Sequence, residues 1–268
     1  KLFLAAFTPA LLAILGFGVA ILFTVWRRPE TAPPAPALAT SERWRDIAAT
    51  WPVGAIFIAV FVGMNGDFFV GRSLFTPTEG AAVGAAATAV AAFAIGGIGR
   101  HGLIEALLQT AEQTGFIFLI LLGAELYNAF LARTAMPDLA AQWVSGLGLP
   151  AVMVIAAIVV LYILLGCLMD SLSMIMLTIP VFFPVVMGLD FGMSQEATAI
   201  WFGILALVVV ELGLIHPPVG LNVYVIQSIA GDVPMLETVK GVLPFIVVEF
   251  VRVALLIAFP AITLWIIR

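Results

Sequence analysis

Charge is what this sequence has least of. Lys, Arg, Asp and Glu make up 10% of the 268 residues, where a soluble domain carries about a quarter. So few charges cannot cover a water-facing surface, so the outside of this chain must face lipid. One cysteine, Cys167, excludes an intramolecular disulfide framework; it is expected to pack as a small apolar residue. Two histidines, His101 and His216, make no metal-ligand cluster, and no nucleophile–base pair stands out, so nothing reads as an enzyme. No basic stripe or basic–aromatic interleaving suggests nucleic acid. The formal net charge of -5 adds little, because the acids are scattered.

What is present in abundance is apolar sequence, 63% of the chain. Residues 2–26 are long enough to span a bilayer and end in Trp26-Arg27-Arg28, an interfacial anchor of the cytoplasmic side. No cleavage site precedes these arginines, and Lys1 reads as a point inside a longer chain. Residues 27–46 are polar and hold Pro29, Pro33, Pro34 and Pro36, a stiff extended linker. Around Trp44, residues 41–50 suggest a short helix on the membrane surface. A second apolar segment covers 47–70. After a short loop, Thr78 is expected to cap a helix over 80–99. In it Gly80 and Gly84 form a GxxxG pair that lets another helix approach closely. An amphipathic stretch over 100–114 leads into a further span at 115–132, and 133–149 reads as a polar connection. A final span covers 241–267. Four arginines between 27 and 46 place that linker in the cytoplasm.

The middle of the chain breaks this pattern. Residues 150–188 contain two apolar runs of marginal length separated by Cys167-Leu168-Met169-Asp170-Ser171-Leu172-Ser173. That suits a re-entrant hairpin whose tip ends inside the membrane, entering from the outside. Residues 197–230 are a helix interrupted at His216-Pro217-Pro218-Val219-Gly220. Two successive prolines remove two backbone donors and cannot continue a helix. In lipid the freed groups around 212–216 must line a cavity or bind something. The carbonyl end of the first half suits a small cation such as Na+, and the amide end of the second half suits an anion. Candidate cation-site residues are Gly166, Asp170, Ser171, Ser173, Gly213, His216 and Gly220, mostly through backbone; candidates for the anion are Pro217, Pro218 and Asn222. Asp170 also reads as the cap of the second hairpin arm. Glu125, Glu211, Glu249 and Arg252 are further ionisable residues in apolar segments. Glu249 and Arg252 are three apart and read as a structural pair. His216 reads as a hydrogen-bonding residue at the break or a proton carrier.

Leu165-Gly166-Cys167-Leu168-Met169-Asp170, Thr178-Ile179-Pro180-Val181-Phe182-Phe183-Pro184 and Glu211-Leu212-Gly213-Leu214-Ile215-His216-Pro217-Pro218-Val219-Gly220-Leu221-Asn222 resemble the large membrane subunit of tripartite ATP-independent periplasmic (TRAP) transporters. Phe75-Thr76-Pro77-Thr78-Glu79-Gly80-Ala81-Ala82, Leu243-Pro244 and Phe259-Pro260 are similar as well. The resemblance implies an all-α elevator-type carrier of the bacterial inner membrane with two inverted repeats. It implies transport of organic acid anions coupled to Na+, with no organic cofactor. It also implies two partners, a small membrane subunit and a periplasmic substrate-binding protein. On this reading residues 1–26 are the last helix of the first repeat, 27–46 the linker and 47–268 the second repeat. His216 stands where the family commonly has Thr, and the first hairpin with its broken helix is missing from the chain. Another ion-coupled anion carrier, a channel and a non-transporting membrane scaffold remain as alternative functions.

Overall fold

The computed structural model describes residues 1–32, 44, 50–64, 66, 74–217, 220–230 and 233–267. Most of the linker, the surface-helix segment around Trp44 and Pro218 therefore lie outside the described residues. Every described element is helical: α1 (Leu2–Arg27), α2 (Trp51–Met64), α3 (Pro77–Ala94), α4 (Arg100–Thr134), α5 (Met136–Gly146), α6 (Ala151–Gly166), α7 (Ser171–Met187), α8 (Gln195–Ile215), α9 (Leu221–Ala230), α10 (Met235–Ala258) and α11 (Ala261–Leu264). Among the described residues, α1, α4, α8 and α10 are long and apolar enough to cross a membrane. The chain divides into two compact units, one of residues 1–33 with 118–268 and one of residues 34–117.

In the smaller unit α2 packs on α3. Gly80 and Gly84 lie under Met64 and Val60: a Cβ on Gly80 would stand 2.7 Å from the Met64 side chain. The GxxxG pair thus receives a neighbouring helix of the same chain. The cap of α3 is Thr76, not Thr78. Glu79 N–H donates to Thr76 Oγ1 at 3.3 Å, and Thr76 N–H donates to Glu79 Oε2 at 2.8 Å. Pro77 explains the shift: it fits the first helical position and holds the residue before it extended, which is the conformation of a cap.

The larger unit holds the main core. Here α6 and α8 run side by side in the same direction. Ile155 and Trp201 line one small cavity near their starts, and Gly166 and Gly213 touch near their ends. Helix α7 runs back antiparallel to α6. Tyr162 Oη lies 2.8 Å from Thr178 Oγ1, and Asp190 and Phe191, just past α7, share the cavity with Ala151 and Val152. The two arms therefore form a helical hairpin with both ends together.

Three stretches differ from the sequence reading. Residues 100–134 are one unbroken helix, since no proline or cap separates the amphipathic part from the apolar part. The connection 133–149 contains α5, which starts after Ala135 at a left-handed φ of 51° and packs on α7. The last segment is interrupted at Phe259, whose φ of -130° and ψ of 75° follow from the proline after it. Pro260 has no N–H for the Leu256 carbonyl, and buried Trp201 donates its indole N–H there instead, at 2.8 Å.

Helix α1 lies antiparallel to α10: Phe17 meets Phe245 edge-on at 5.6 Å, and Arg252 Nη1 donates to the Pro9 carbonyl at 3.3 Å. Glu249, 3% exposed, pairs with Arg252 one turn away. Removing one member of a buried pair strands the other charge, at a cost of about 3–5 kcal/mol, whereas an apolar replacement of both is near neutral. Accordingly Glu249→Leu or Arg252→Met alone should lower the thermal midpoint of the detergent-solubilised protein strongly. The double variant should recover most of that loss.

Candidate functional site

The hairpin tip and the interrupted helix meet at a pair of glycines. Gly166 ends α6 and Gly213 lies in the last turn of α8; both are buried. A Cβ on Gly166 would stand 2.8 Å from Gly213 Cα, and one on Gly213 would stand 2.7 Å from Gly166 Cα. Only glycine at both positions lets the two backbones cross this closely. The consequence is electrostatic. Two parallel helices end together, each bringing the partial negative charge of its C-terminus, although the Ile163, Leu165 and Gly213 carbonyls accept backbone N–H donors from the residues that follow.

Pro217 and Pro218 end α8 by chemistry that can be followed bond by bond. Neither has an N–H, so the carbonyls of Gly213 and Leu214 lose their helical donors four residues on. Gly213 is partly compensated: its carbonyl accepts from His216 N–H at 3.2 Å. The helix runs to Ile215, two residues beyond Gly213, before His216 turns extended with φ -82° and ψ 130°. The chain recovers at Gly220, buried with φ +54°. A side chain there would be strained and would sit 3.1 Å from the His216 carbonyl. Val223 N–H then donates to the Gly220 carbonyl at 2.8 Å as α9 begins.

His216 touches both neighbours of the break. Its carbonyl accepts from the Cys167 thiol, 3.4 Å away, and its ring meets Phe250 of α10 edge-on at 5.6 Å. Its Nδ1 is buried and has no hydrogen-bond partner among the described residues. Asp170 caps α7. Its Oδ2 accepts from Ser173 N–H at 2.9 Å and its Oδ1 accepts from the Ser173 hydroxyl at 2.5 Å. Both Asp170 oxygens and the Ser173 hydroxyl are thus engaged with each other. Ser171 and Pro217 are half-buried, and Asn222, in the first turn of α9, is exposed. Glu211, one turn before the break, is also exposed. Among the described residues no three His, Cys, Asp or Glu side chains converge as a metal centre would require.

Every described sequence-derived candidate lies at one end of α6 or α8, or in the first turn of the helix that follows. What sequence reading missed is the crossing of Gly166 with Gly213. A signal existed, a glycine in the final turn of each marginal apolar run, but nothing in sequence says that those turns touch. Cys167 is buried as expected, yet its thiol also makes a specific bond.

A family model described as the tripartite ATP-independent periplasmic transporter, DctM component, matches residues 1–262. The chain belongs to this family. It is a multi-pass protein of the inner membrane. The three relatives that follow are named as transporter permeases, not enzymes. The C4-dicarboxylate TRAP transporter large permease protein DctM of Pseudomonas aeruginosa is 30% identical over 265 residues, 98% of this chain and 58% of the relative. The sialic acid TRAP transporter large permease protein SiaM of Vibrio cholerae is 27% identical, with 98% and 58% covered. The DctM protein of Rhodobacter capsulatus is 28% identical, with 98% and 57% covered. The chain thus spans less than three-fifths of the length of these TRAP permeases.

The glycine crossing makes a sharp prediction for this TRAP family member. Gly166→Ala and Gly213→Ala should each destabilise by about 1–3 kcal/mol, because backbone must move to admit the methyl group. Gly18→Ala, where a Cβ meets nothing within 4 Å, should be neutral or slightly stabilising. Thermal unfolding of the three variants in one detergent checks the contrast.

Proposed function

We propose that this chain is the second-repeat portion of a Na+-coupled carrier of organic acid anions. Residues 1–26 are the last helix of the first repeat, 27–46 a cytoplasmic linker and 47–268 the second repeat. The hairpin 150–188 enters the membrane without crossing it. The carrier works with a small membrane subunit and a periplasmic substrate-binding protein. The TRAP relatives' names, for C4-dicarboxylate and sialic acid, support an organic acid anion as the substrate.

The observation that carries this reading is the meeting of two helix C-termini at Gly166 and Gly213. Two like-signed dipole ends repel unless a positive charge lies between them, and a desolvated cation suits backbone carbonyls. The ligands for Na+ come from the tip between Gly166 and Ser173 and from the break around Gly213, His216 and Gly220. The anion belongs at the opposite kind of terminus. The Asp170 carboxylate already covers the start of α7, so the start of α9, beside Pro217, Pro218 and Asn222, is the better place for it. A purely structural scaffold has no use for two carbonyl ends held together.

The test uses the full-length permease with its small subunit and binding protein in proteoliposomes. Replacing both Pro217 and Pro218 by alanine restores two N–H donors, lets the helix close and withdraws the carbonyls. The Na+ concentration for half-maximal uptake of succinate or sialic acid should rise about tenfold, equivalent to about 1.4 kcal/mol. Asn222→Ala should instead raise the substrate KM severalfold and leave Na+ dependence near its original value. Unchanged Na+ dependence in the double alanine variant would show that the break is only a kink.

A further inference from the structure

We propose that the Cys167 thiol is an internal competitor of the bound cation and sets the cation affinity of the break. This rests on the reading of the glycine crossing as a Na+ site. Cys167 directly follows Gly166 and is 4% exposed. Its Sγ lies 3.4 Å from the His216 carbonyl oxygen, which accepts the thiol proton. His216 caps α8, so its carbonyl is at the most negative end of that helix. It also faces the tip, since the bond to Cys167 spans from one element to the other.

An S–H donor places its partially positive hydrogen against this oxygen and occupies one of its two lone pairs. A cation drawing on the same oxygen has to work against that proton. Two features keep the competition balanced. A thiol is a weak donor, worth less than an amide N–H, so a cation can displace it. The oxygen also lies within the break, where a Cβ on Gly220 would stand 3.1 Å from it, so a cation held between the break and the tip draws on the same oxygen that the thiol occupies. No proton leaves the thiol: the S–H bond stays intact and only turns away. The binding of Na+ therefore frees the thiol, and removal of the thiol favours Na+.

Na+ itself is the probe, titrated calorimetrically into the full-length permease with its small subunit in nanodiscs. Two donor-free replacements are used, Cys167→Ala and Cys167→Val, because they perturb packing in opposite directions. Both should bind Na+ about two- to fivefold more tightly than the unmodified protein, as expected for loss of one weak competing bond. Cys167 is the one cysteine of this chain, and its S–H stretch is isolated by subtracting the Cys167→Ala infrared spectrum. With Na+, but not with choline, that band should move toward the position of a free thiol. Unchanged or weaker Na+ binding in both variants overturns the proposal, as does an S–H band that Na+ leaves in place. If the unmodified protein shows no Na+ binding at all, the cation site itself is wrong and the competitor role falls with it.

Discussion

Two backbones touch at Gly166 and Gly213, and the meeting of the hairpin tip with the helix break depends on that contact. The glycines remove the side chains that would keep α6 and α8 about 8–10 Å apart as ordinary packed helices. Because the helices are parallel, close approach at their ends brings like dipole ends together, an electrostatic cost that the packing beneath has to offset. The hairpin tip, the break, Cys167 and His216 are all within a few residues of this point. Their proximity is a consequence of the crossing and needs no separate cause. The buried core beneath it, from Ile155 and Tyr162 to Trp201, Phe202 and Leu205, holds the two helices in register so that their ends coincide.

A second theme is what becomes of carbonyls that proline leaves behind. In a bilayer no water is at hand to satisfy them. Pro260 deprives Leu256, and the Trp201 indole from α8 supplies the donor. Pro217 deprives Gly213, and the extended backbone at His216 turns its own N–H to it. The carbonyl of His216 itself receives a thiol proton from the hairpin. At Leu256 the replacement donor is a strong one from a side chain fully packed in the core. At the break the replacements are a longer backbone bond and a weak thiol. That gradation separates a firm structural repair from a weaker one.

Much of this was legible in the chain. Scarce charge and long apolar runs identify a helical membrane protein; the span 2–26 agrees with α1 to within one residue, and the interruption expected at 216–220 falls between α8 and α9. The hairpin arms fall where marginal apolar runs flank Cys167–Ser173, because a polar tip interrupts the apolar pattern in a way that no packing requires. Asp170 as a cap was readable from its place before Ser171, since a capping carboxylate acts within three residues. The misses have separate local causes. The cap at Thr76 was hidden by its neighbour Thr78 until Pro77 was weighed. Helix α5 was obscured by Gly146 and Gly148, although Pro137 and Asp138 are start signals. The unbroken α4 crosses from polar to apolar composition with no backbone signal to mark the change.

Local chemistry settled which residues could not be helical and which ends would carry charge: a proline without an N–H breaks the ladder wherever the chain folds, and a carboxylate before a helix caps it. Those effects act over four residues or fewer, so the sequence by itself determined the hairpin arms, the break and the sign of each terminus. Which termini meet is a different question. Gly166 and Gly213 are 47 positions apart and Cys167 and His216 are 49 apart, and their contact requires the cores of α6, α7 and α8 to pack in one register. Only the tertiary structure decided that two negative ends face each other, because that outcome is set by the summed packing of side chains far from either glycine.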